Sequence, residues 1–357
     1  MPTNRRQIKS VDWLDKEGKC QFTDHYTRFG RKAATTVFNT DGSDFTTTYF
    51  NKNGQEVVVY NYKTSDYLVT FQEKDYLFHH DFDFIVFALN ILNVNTDKVI
   101  YNSLGVPFAT IYYHQIGDEN ILVWQETIND TLPGNMQMIL NHQTNTQTIA
   151  CVDSTNTQKI RALSQSGADY ATDLGYLYQV EGNTKDKLAN NDAVILTNSD
   201  QIIGLDLLAK NLPNLTIHVA SVTEMSPKLL SFEQFSNISL YPNANIATIK
   251  QLMERASWYL DVNRGNELLN AVREAFNYQL ITASFTETYH NAKFTNDQLI
   301  IDANQIDELC QVIQTAQDNL EFKAALLAEQ KIQAHQTTVE RYRDVFNNSE
   351  EDNHVRY

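Results

Sequence analysis

Two acidic side chains, Glu267 and Glu274, lie seven residues apart in the segment 259–288. This segment reads as an apolar strand, then a polar turn that contains Gly265, then a helix. Such a turn offers free backbone N–H groups to an anion at the start of the helix. Because seven residues are about two helical turns, both carboxylates would lie on one side of the helix and could bind a sugar or a phosphate. The structural alternative is that Glu267 only complements the helix dipole from the first turn.

Other candidate ligands are more simply explained as structural groups. Four side chains that can bind metals follow one another closely: His79, His80, Asp81 and Asp83. Neighbours one or two positions apart on a strand or turn do not converge on one ion, so we favour a polar turn and predict no metal site. His142 and His218 are isolated histidines, which are more often satisfied core or surface groups. The sequence has no G-x-G-x-x-G, P-loop or G-x-S-x-G motif, so the nucleotide and hydrolase fingerprints are absent.

Composition and charge exclude several classes of protein. With 357 residues, 42% of them hydrophobic, the chain can form two or three domains with full cores. A formal net charge of -16 disfavours nucleic acid as a partner, since phosphates need a basic surface. The three cysteines lie far apart, which argues against disulfides and predicts reduced thiols. The chain lacks both an apolar run of the roughly 20 residues that span a membrane and the apolar region of a secretory signal, so we expect a cytoplasmic protein.

The amino-terminal part, 8–80, predicts an antiparallel β-meander. Segments rich in Thr, Val, Tyr and Phe favour pleated strands. We predict six of them, at 11–15, 20–26, 34–38, 46–50, 57–62 and 67–71. Several are separated by turns such as NTDG and NKNG, in which glycine supplies the positive φ of a tight hairpin. One face of this sheet could cover another protein or domain.

The rest of the chain reads as strands alternating with helices, which predicts parallel sheets with crossover helices. Residues 81–177 would form the remainder of a first Rossmann-like domain, with helices at 82–92 and 134–142 and strands at 99–104, 108–114 and 148–153. In 178–320 we predict a second Rossmann-like domain with strands at 192–199, 215–221, 237–242, 258–263 and 279–285 and helices at 200–213, 226–235, 244–256 and 265–278. A carboxyl-terminal helix and a frayed tail follow at 321–357.

The predicted fold class is therefore α/β, with two Rossmann-type domains and an added antiparallel meander. Ligands of doubly wound sheets lie at the carboxyl ends of the strands. In the second domain these ends carry polar side chains, which are the candidate ligand-binding residues.

The segment 259–288 resembles the donor-site strand and helix of retaining GT-B glycosyltransferases, in which two Rossmann domains face a cleft. That family carries a Glu, seven further residues and a second Glu. If Glu274 is the second, the first position falls on Asn266, one place before Glu267. The resemblance implies a donor site without its first acidic ligand.

The same family places an Arg and a Lys just after the first strand of the carboxyl-terminal domain, where they hold the donor diphosphate. This chain has Thr197, Asn198 and Gln201 in that stretch. Two phosphates in a protein of charge -16 would be poorly compensated without those cations. The donor site is therefore expected to be eroded.

Four separate, ordered blocks carry a closer resemblance: 11–32, 194–200, 223–230 and 259–276. They look like the GtfB family, the glycosyltransferase-stabilising proteins, or glycosylation chaperones, of accessory Sec systems. The resemblance implies a non-catalytic subunit without a cofactor, paired through its β-meander with a catalytic GtfA-type partner. That partner transfers N-acetylglucosamine from its UDP form to Ser and Thr of Ser-rich repeat adhesins before export, while GtfB holds the acceptor polypeptide in a cleft. A location on the cytoplasmic side of the cell membrane is compatible with this role.

One departure from the family concerns the amino terminus. Family members begin with a Rossmann segment before the meander, whereas this chain starts almost at the meander. We therefore expect the first Rossmann-like domain to lack its leading strands, which would leave apolar strand edges exposed.

Three functions remain open at this point: an acceptor-binding co-activator, an active glycosyltransferase that uses Glu267 or Glu274, and a stabiliser that only keeps its partner soluble. For the first, short amide, hydroxyl and carboxylate side chains suit an extended Ser/Thr polypeptide, which offers hydroxyls and peptide groups but little charge. We predict no catalytic residues. The candidate acceptor contacts are Asn198, Ser199, Thr223, Glu224, Asn263, Arg264, Asn266 and Glu267.

Overall fold

The computed structural model describes residues 7–180 and 187–347. The predicted frayed end of the chain, from 348 onwards, lies outside these residues. The chain divides into two compact units, the first formed mainly by Met1–Cys151 and Thr155–Asp173 and the second mainly by Leu174–Glu350. Among the described residues, none of the helices is both long and apolar enough to cross a bilayer.

The first unit begins with a seven-stranded antiparallel sheet in sequential order, so the predicted meander is confirmed. Its strands are β1 (Ser10–Leu14), β2 (Cys20–Tyr26), β3 (Lys32–Phe38), β4 (Asp44–Phe50), β5 (Glu56–Asn61), β6 (Asp66–Phe71) and β7 (Lys74–Phe78). Gly42 and Gly54 have φ of 88° and 77°, as tight turns require. The sequence prediction missed β7, because the turn before it is made by Gln72 and Glu73, both with positive φ and neither a glycine.

Helix α1 (Asp81–Ile91), which the sequence predicted, packs on one half of the meander. The ring of Phe84 stacks on Tyr67 at 4.5 Å, and Phe87 lies 4.9 Å from Phe78. Aromatic contacts therefore hold the amino-terminal meander against the segment that follows it. Each aromatic side chain buries a large apolar surface, so a few such residues are sufficient.

A four-stranded parallel sheet completes the first unit, in the order β11-β10-β9-β8. Its strands are β8 (Ile100–Tyr101), β9 (Asn120–Trp124), β10 (Thr146–Cys151) and β11 (Ala171–Asp173), and its helices are α2 (Val106–His114), α3 (Gly134–Leu140) and α4 (Ser154–Leu163). The predicted strand at 108–114 is wrong, because this stretch is part of α2. Phe108 and Ile111 are buried three residues apart, so the short apolar run follows a helical rather than an alternating pattern.

The second unit contains a six-stranded parallel sheet in the order β14-β13-β12-β15-β16-β17. Its strands are β12 (Asp192–Thr197), β13 (Thr216–Ser221), β14 (Ile238–Tyr241), β15 (Trp258–Asp261), β16 (Ile281–Phe285) and β17 (Ile300–Ile301). Five of them confirm the sequence prediction, and β17 was missed because it has only two residues. Buried apolar clusters cover both faces of this sheet, as is typical of doubly wound parallel sheets.

Helices of the second unit flank this sheet and continue beyond it. They are α5 (Leu205–Asn211), α6 (Pro227–Leu230), α7 (Ile246–Arg255), α8 (Ala271–Asn277), α9 (Ile306–Asp318), α10 (Leu320–Gln333) and α11 (Val339–Asn347). The helices predicted at 200–213 and 265–278 start several residues later than expected. The residues that precede α5 and α8 form loops at the carboxyl ends of β12 and β15, where the candidate site lies.

Candidate functional site

All eight predicted acceptor contacts lie in the second unit, in loops that follow three neighbouring strands, β13, β12 and β15. Ser199 and Glu267 are half-buried, and Asn263 is buried. The remaining five side chains are exposed to solvent: Asn198, Thr223, Glu224, Arg264 and Asn266. An exposed side chain can contact a ligand directly, whereas a buried one can only position its neighbours.

Asn263 joins the loops that follow β12 and β15. Its Oδ1 atom accepts hydrogen bonds from Thr197 Oγ1 at 2.8 Å and from Ser199 Oγ at 3.0 Å. Backbone bonds reinforce the same pairing, because Arg264 N–H donates to the Gln201 carbonyl at 3.0 Å. The structure thus brings Asn198, Ser199, Asn263 and Arg264 into one group.

Gly265 allows these two loops to approach closely. A Cβ atom on this residue would lie 2.6 Å from Asn198 Oδ1 and 2.9 Å from Asn263 Nδ2. Real Cβ atoms essentially never come within 3.0 Å of such atoms, so a side chain here would displace one or both amides. The close approach, not a special φ, explains glycine at this position.

A buried acid and a histidine hold the same loop from behind. Asp261 ends β15, and its carboxylate accepts from the His290 backbone N–H at 2.8 Å and contacts His290 Nδ1 at 2.7 Å. The other ring nitrogen, Nε2, lies 2.7 Å from the Gly265 carbonyl, to which it can donate. His290 therefore ties the end of β15 to the loop that carries the candidate residues.

The pKa values of this pair follow from burial and from these contacts. Burial raises the pKa of the Asp261 carboxyl, although the hydrogen bonds from His290 act against the rise. For His290, burial acts to lower the pKa, but the Gly265 carbonyl and the Asp261 carboxylate outweigh it, so the pKa of the imidazole is raised. A protonated imidazole can donate from both ring nitrogens, as this geometry requires.

Glu267 has a structural contact. Its Oε1 atom accepts the Val272 N–H at 3.0 Å and so satisfies a free amide in the first turn of α8. Since α8 begins at Ala271, Glu267 precedes the helix, and the expectation that Glu267 and Glu274 lie on one side of it is wrong. The observed role is that of an acid at a helix amino terminus.

Thr223 and Glu224 lie one strand further along the sheet, after β13. Ser221 Oγ contacts Thr223 Oγ1 at 3.2 Å. The next residues form a hydrogen-bonded link to the β12 loop, because Ser226 Oγ donates to Asp200 Oδ2 at 3.0 Å. Ser226 also caps α6, which starts at Pro227. Serine at the cap and proline at the first helical position are both residue types that favour the start of a helix.

The end of β12 and the loop that follows it carry neutral side chains at Thr197, Asn198 and Gln201. Thr197 is buried and bonded to Asn263, and Asn198 and Gln201 are exposed. Two cations do lie at this edge of the sheet, Arg264 in an exposed position and Lys228, whose Nζ donates to the Asp200 carbonyl at 3.2 Å.

The histidines and aspartates that follow the meander bind separate partners. His79 contacts Asp66 at 2.7 Å, Asp81 accepts from the Tyr67 hydroxyl at 2.8 Å, and Asp83 contacts His114 at 2.8 Å. Within the described residues, no group of three or more His, Cys, Asp or Glu side chains is arranged to hold a metal ion.

Sequence reasoning missed Asp261 and His290. Asp261 carried a detectable signal, since it is an acid that ends an otherwise apolar strand. His290 carried none, because it lies 29 residues away in a polar stretch and meets Asp261 only in the folded chain.

Solved structures with the same architecture define the class of protein. A chain in the crystal structure of a GtfA/B complex bound to UDP and GlcNAc matches with a TM-score of 0.83 and 37% identity, over 96% of this chain and 77% of that chain. A chain in the crystal structure of accessory secretory protein 1,2 and 3 from Streptococcus pneumoniae shares the fold, with a TM-score of 0.60 and 13% identity, over 98% of this chain and 74% of that one. With its meander and two parallel sheets, the protein has a GT-B-like α/β fold.

Sequence comparisons identify the family. Family models match at 1–79 (GtfB middle domain), 81–163 (GtfB third domain) and 193–330 (GftB/GlyA-F C-terminal domain). Two relatives are named UDP-N-acetylglucosamine--peptide N-acetylglucosaminyltransferase stabilizing protein GtfB. The one from Streptococcus agalactiae is 35% identical over 96% of this chain and 77% of its own, and the one from Streptococcus gordonii is 38% identical over 95% and 76%. The chain belongs to the GtfB family of glycosyltransferase-stabilizing proteins.

Proposed function

We propose that this chain is the non-catalytic subunit of a two-protein O-GlcNAc transferase, in which it stabilises a catalytic GtfA-type partner and binds the acceptor polypeptide. The observation that carries the proposal is the similarity, at 37% identity and a TM-score of 0.83, to a chain in a GtfA/B complex bound to UDP and GlcNAc. The relatives' name, stabilizing protein of a peptide N-acetylglucosaminyltransferase, agrees with this role.

Three features of the strand-end loops support a subunit without its own donor site. Neutral Thr197 and Asn198 occupy the stretch where cations would hold a diphosphate. Asn266 stands where the first Glu of the active enzymes' pair would fall. The neighbouring Glu267 accepts a hydrogen bond from the Val272 N–H, which gives this carboxylate a structural role at the start of α8.

For the acceptor we propose an extended, Ser-rich adhesin polypeptide that lies along the carboxyl ends of β13, β12 and β15. The exposed candidates would provide the contacts: Asn198, Thr223, Glu224, Arg264 and Asn266. Amides both donate and accept hydrogen bonds, so they suit peptide groups and serine hydroxyls. Asn263 would position Ser199 and the β12 loop rather than touch the acceptor.

For the partner we propose the meander, 8–80, as the contact surface. Large apolar side chains on this sheet are half exposed, among them Trp13, Leu68 and Leu77. Exposed apolar surface of this kind is typical of protein interfaces. Glycosylation in the cytoplasm before export by an accessory Sec system completes the proposed role.

The decisive experiment measures the intact mass of a Ser-rich peptide after incubation with UDP-N-acetylglucosamine. We expect added sugars when this chain and a GtfA-type partner are both present, and far fewer with the partner alone. Sugar transfer by this chain alone would show that it is an enzyme. Normal partner binding without any gain in peptide affinity would instead identify a stabiliser that only supports its partner.

A pair of variants tests the acceptor site. Replacing both exposed amides, Asn198→Ala with Asn266→Ala, should weaken binding of the peptide to the complex about tenfold, since each lost hydrogen bond contributes roughly 0.5–1.5 kcal/mol. Binding to the partner should not change. Asn214→Ala is the matched control, because Asn214 is also exposed but lies before β13, at the amino end of the strands. Equal peptide affinity in the double variant and the control would refute the assignment.

A further inference from the structure

The second unit contains an apolar slot that the role above does not use. It lies between α7 and the segment that leads into α8 and has a volume of about 260 Å³. Apolar side chains from β12, from α7 and from the residues on either side of α8 form most of its lining: Leu196, Ile246, Ile249, Met253, Leu269 and Tyr278.

Two of these side chains lie at the mouth of the slot in solvent. Ile246 is 63% exposed and Leu269 is 52% exposed. Leu269 and Asn270 also have consecutive left-handed backbones, with φ of 54° and 53°. This conformation is uncommon for a residue with a bulky side chain, and residues held in it cluster at sites that bind ligands. The fold therefore holds an apolar side chain at the mouth of the slot although this costs free energy.

The slot adjoins the candidate acceptor residues along the chain. Leu196 precedes Asn198 by two positions, and Leu269 follows Glu267 by two. Side chains on one face of an extended polypeptide are about 7 Å apart. A polypeptide that hydrogen-bonds to the strand-end amides can thus direct a neighbouring side chain into the slot.

The size and charge of the slot define its occupant. Pockets for small molecules and cofactors usually have volumes of roughly 300–1,000 Å³, so this slot suits a single side chain better than a nucleotide. One cation and one anion also line it, Lys250 and Glu274, and their opposite charges favour a neutral group.

We propose that this slot is a specificity subsite, which receives an apolar side chain of the acceptor polypeptide next to a serine. The inference rests on the proposed acceptor-binding function and adds to it a sequence preference. Acceptors that alternate serine with a branched apolar residue are preferred over acceptors that alternate serine with glycine, because only the former fill the slot. Extended-peptide recognition commonly combines main-chain hydrogen bonds with pockets for alternate side chains in this way.

The test compares two synthetic peptides, one alternating serine with valine and one alternating serine with glycine. Their affinities are measured for the complex of this chain with a GtfA-type partner. The native complex should bind the valine peptide about tenfold tighter, the discrimination that a small apolar group provides in a pocket. Ile246→Gln and Leu269→Gly should each remove most of this preference and leave the affinity for the glycine peptide unchanged.

Both substitutions are compatible with the fold, because Ile246 is largely exposed and glycine readily adopts the φ of residue 269. The control is Ile332→Gln, an apolar residue of the same unit that is 73% exposed and lies outside the slot lining. It should keep the full preference.

The outcomes separate this inference from the function on which it rests. If neither peptide binds, the proposed acceptor-binding function fails and the subsite fails with it. If both peptides bind equally to the native complex, or the slot variants weaken both equally, acceptor binding stands and the apolar subsite is refuted.

Discussion

The two large sheets of this protein are stabilised in different ways. In the parallel sheet of the second unit every residue of β15 and β16 is buried, with an apolar cluster on each face. In the meander, most side chains remain partly exposed on both faces, and Ala34 and Val69 are the buried apolar residues among its described strands. The parallel sheet is a buried core that positions the loops at its edge, whereas the meander leaves much of its apolar surface exposed to solvent.

Polar side chains also serve the two sheets differently. On the meander, hydroxyl groups link neighbouring strands, with Thr36 Oγ1 2.9 Å from Thr47 Oγ1 and Thr47 Oγ1 3.2 Å from the Tyr62 hydroxyl. In the parallel sheet, Gln330 of α10 accepts from Thr282 N–H at 2.8 Å and donates to the Leu280 carbonyl at 2.9 Å. Gln330 thus extends the ladder of β16 where the short strand β17 does not reach.

The largest expected effect comes from matched truncations in the two sheets. Leu260→Ala, in the buried strand β15, should lower the free energy of unfolding by about 2–5 kcal/mol through lost burial and a cavity. Leu77→Ala, on β7, should change it by no more than about 0.5 kcal/mol, because this side chain is 57% exposed. Denaturant-dependent hydrogen exchange measures the free energy of unfolding of each unit separately. This is needed because two compact units need not unfold in a single transition.

The same two leucines also distinguish the two sheets when the partner is present. If the meander is the partner surface, Leu77→Ala should weaken the complex although it barely affects the isolated chain. A large loss of stability from Leu77→Ala in the isolated chain would contradict the contrast between the sheets.

A comparable effect is expected from the buried polar link of the parallel sheet, and a smaller one from the hydroxyl link of the meander. Gln330→Leu leaves the buried Thr282 N–H and the Leu280 carbonyl unpaired, and at about 1–3 kcal/mol for each group the free energy of unfolding should fall by roughly 2–6 kcal/mol. Thr47→Val removes one hydroxyl from a chain of hydrogen bonds in which Thr36 keeps a second partner, His25 Nε2, so about 0.5–1.5 kcal/mol is expected. Chemical denaturation of both variants tests the order, and a Thr47→Val effect equal to that of Gln330→Leu would show that the meander depends on its polar groups as strongly as the parallel sheet does.

The smallest expected effect is a pH dependence of opposite sign at two histidines of the second unit. The pKa of His290 is raised above 6.5, so its stabilising contribution is complete below pH 6.5 and is lost as the pH rises through the folded-state pKa. Burial lowers the pKa of His218, which faces Asp192, Arg255 and Tyr241. The unfolded chain therefore takes up this proton first, and stability is lost as the pH falls below 6.5.

Urea midpoints between about pH 5 and 8 provide the measurement. His290→Asn should reduce the loss of stability that occurs as the pH rises above 6.5. His218→Asn should reduce the loss of stability that occurs as the pH falls below 6.5. The groups that face His290 are Asp261 and Glu267, and Asp261, with a pKa raised from 3.8, acts in the same direction as His290 but from lower pH. If both variants changed the pH dependence of the urea midpoint on the same side of pH 6.5, the opposite roles assigned to His290 and His218 would be wrong.

Most of the local elements and their order could be predicted from the sequence. Turns such as NTDG and NKNG predicted the meander, since glycine supplies the positive φ that a hairpin needs. Continuous apolar runs at β12, β13 and β15 predicted a parallel sheet. The carboxyl ends of these strands predicted where the polar loops lie. The same local patterns were insufficient for α2, β7 and β17, where a short apolar run, a turn without glycine and a two-residue strand carry weak signals.

Which of the polar residues contact one another depends on the folded chain. His290 reaches Asp261 and the Gly265 carbonyl across 29 and 25 positions, and Gln330 reaches β16 across 48. Glu267 accepts a hydrogen bond from the start of α8, and Asn263 is buried between two loops. The residue type and position of both had predicted direct contacts with a ligand. Local propensities depend on neighbours within a few positions, whereas burial and side-chain partners depend on elements that folding brings together from distant parts of the chain.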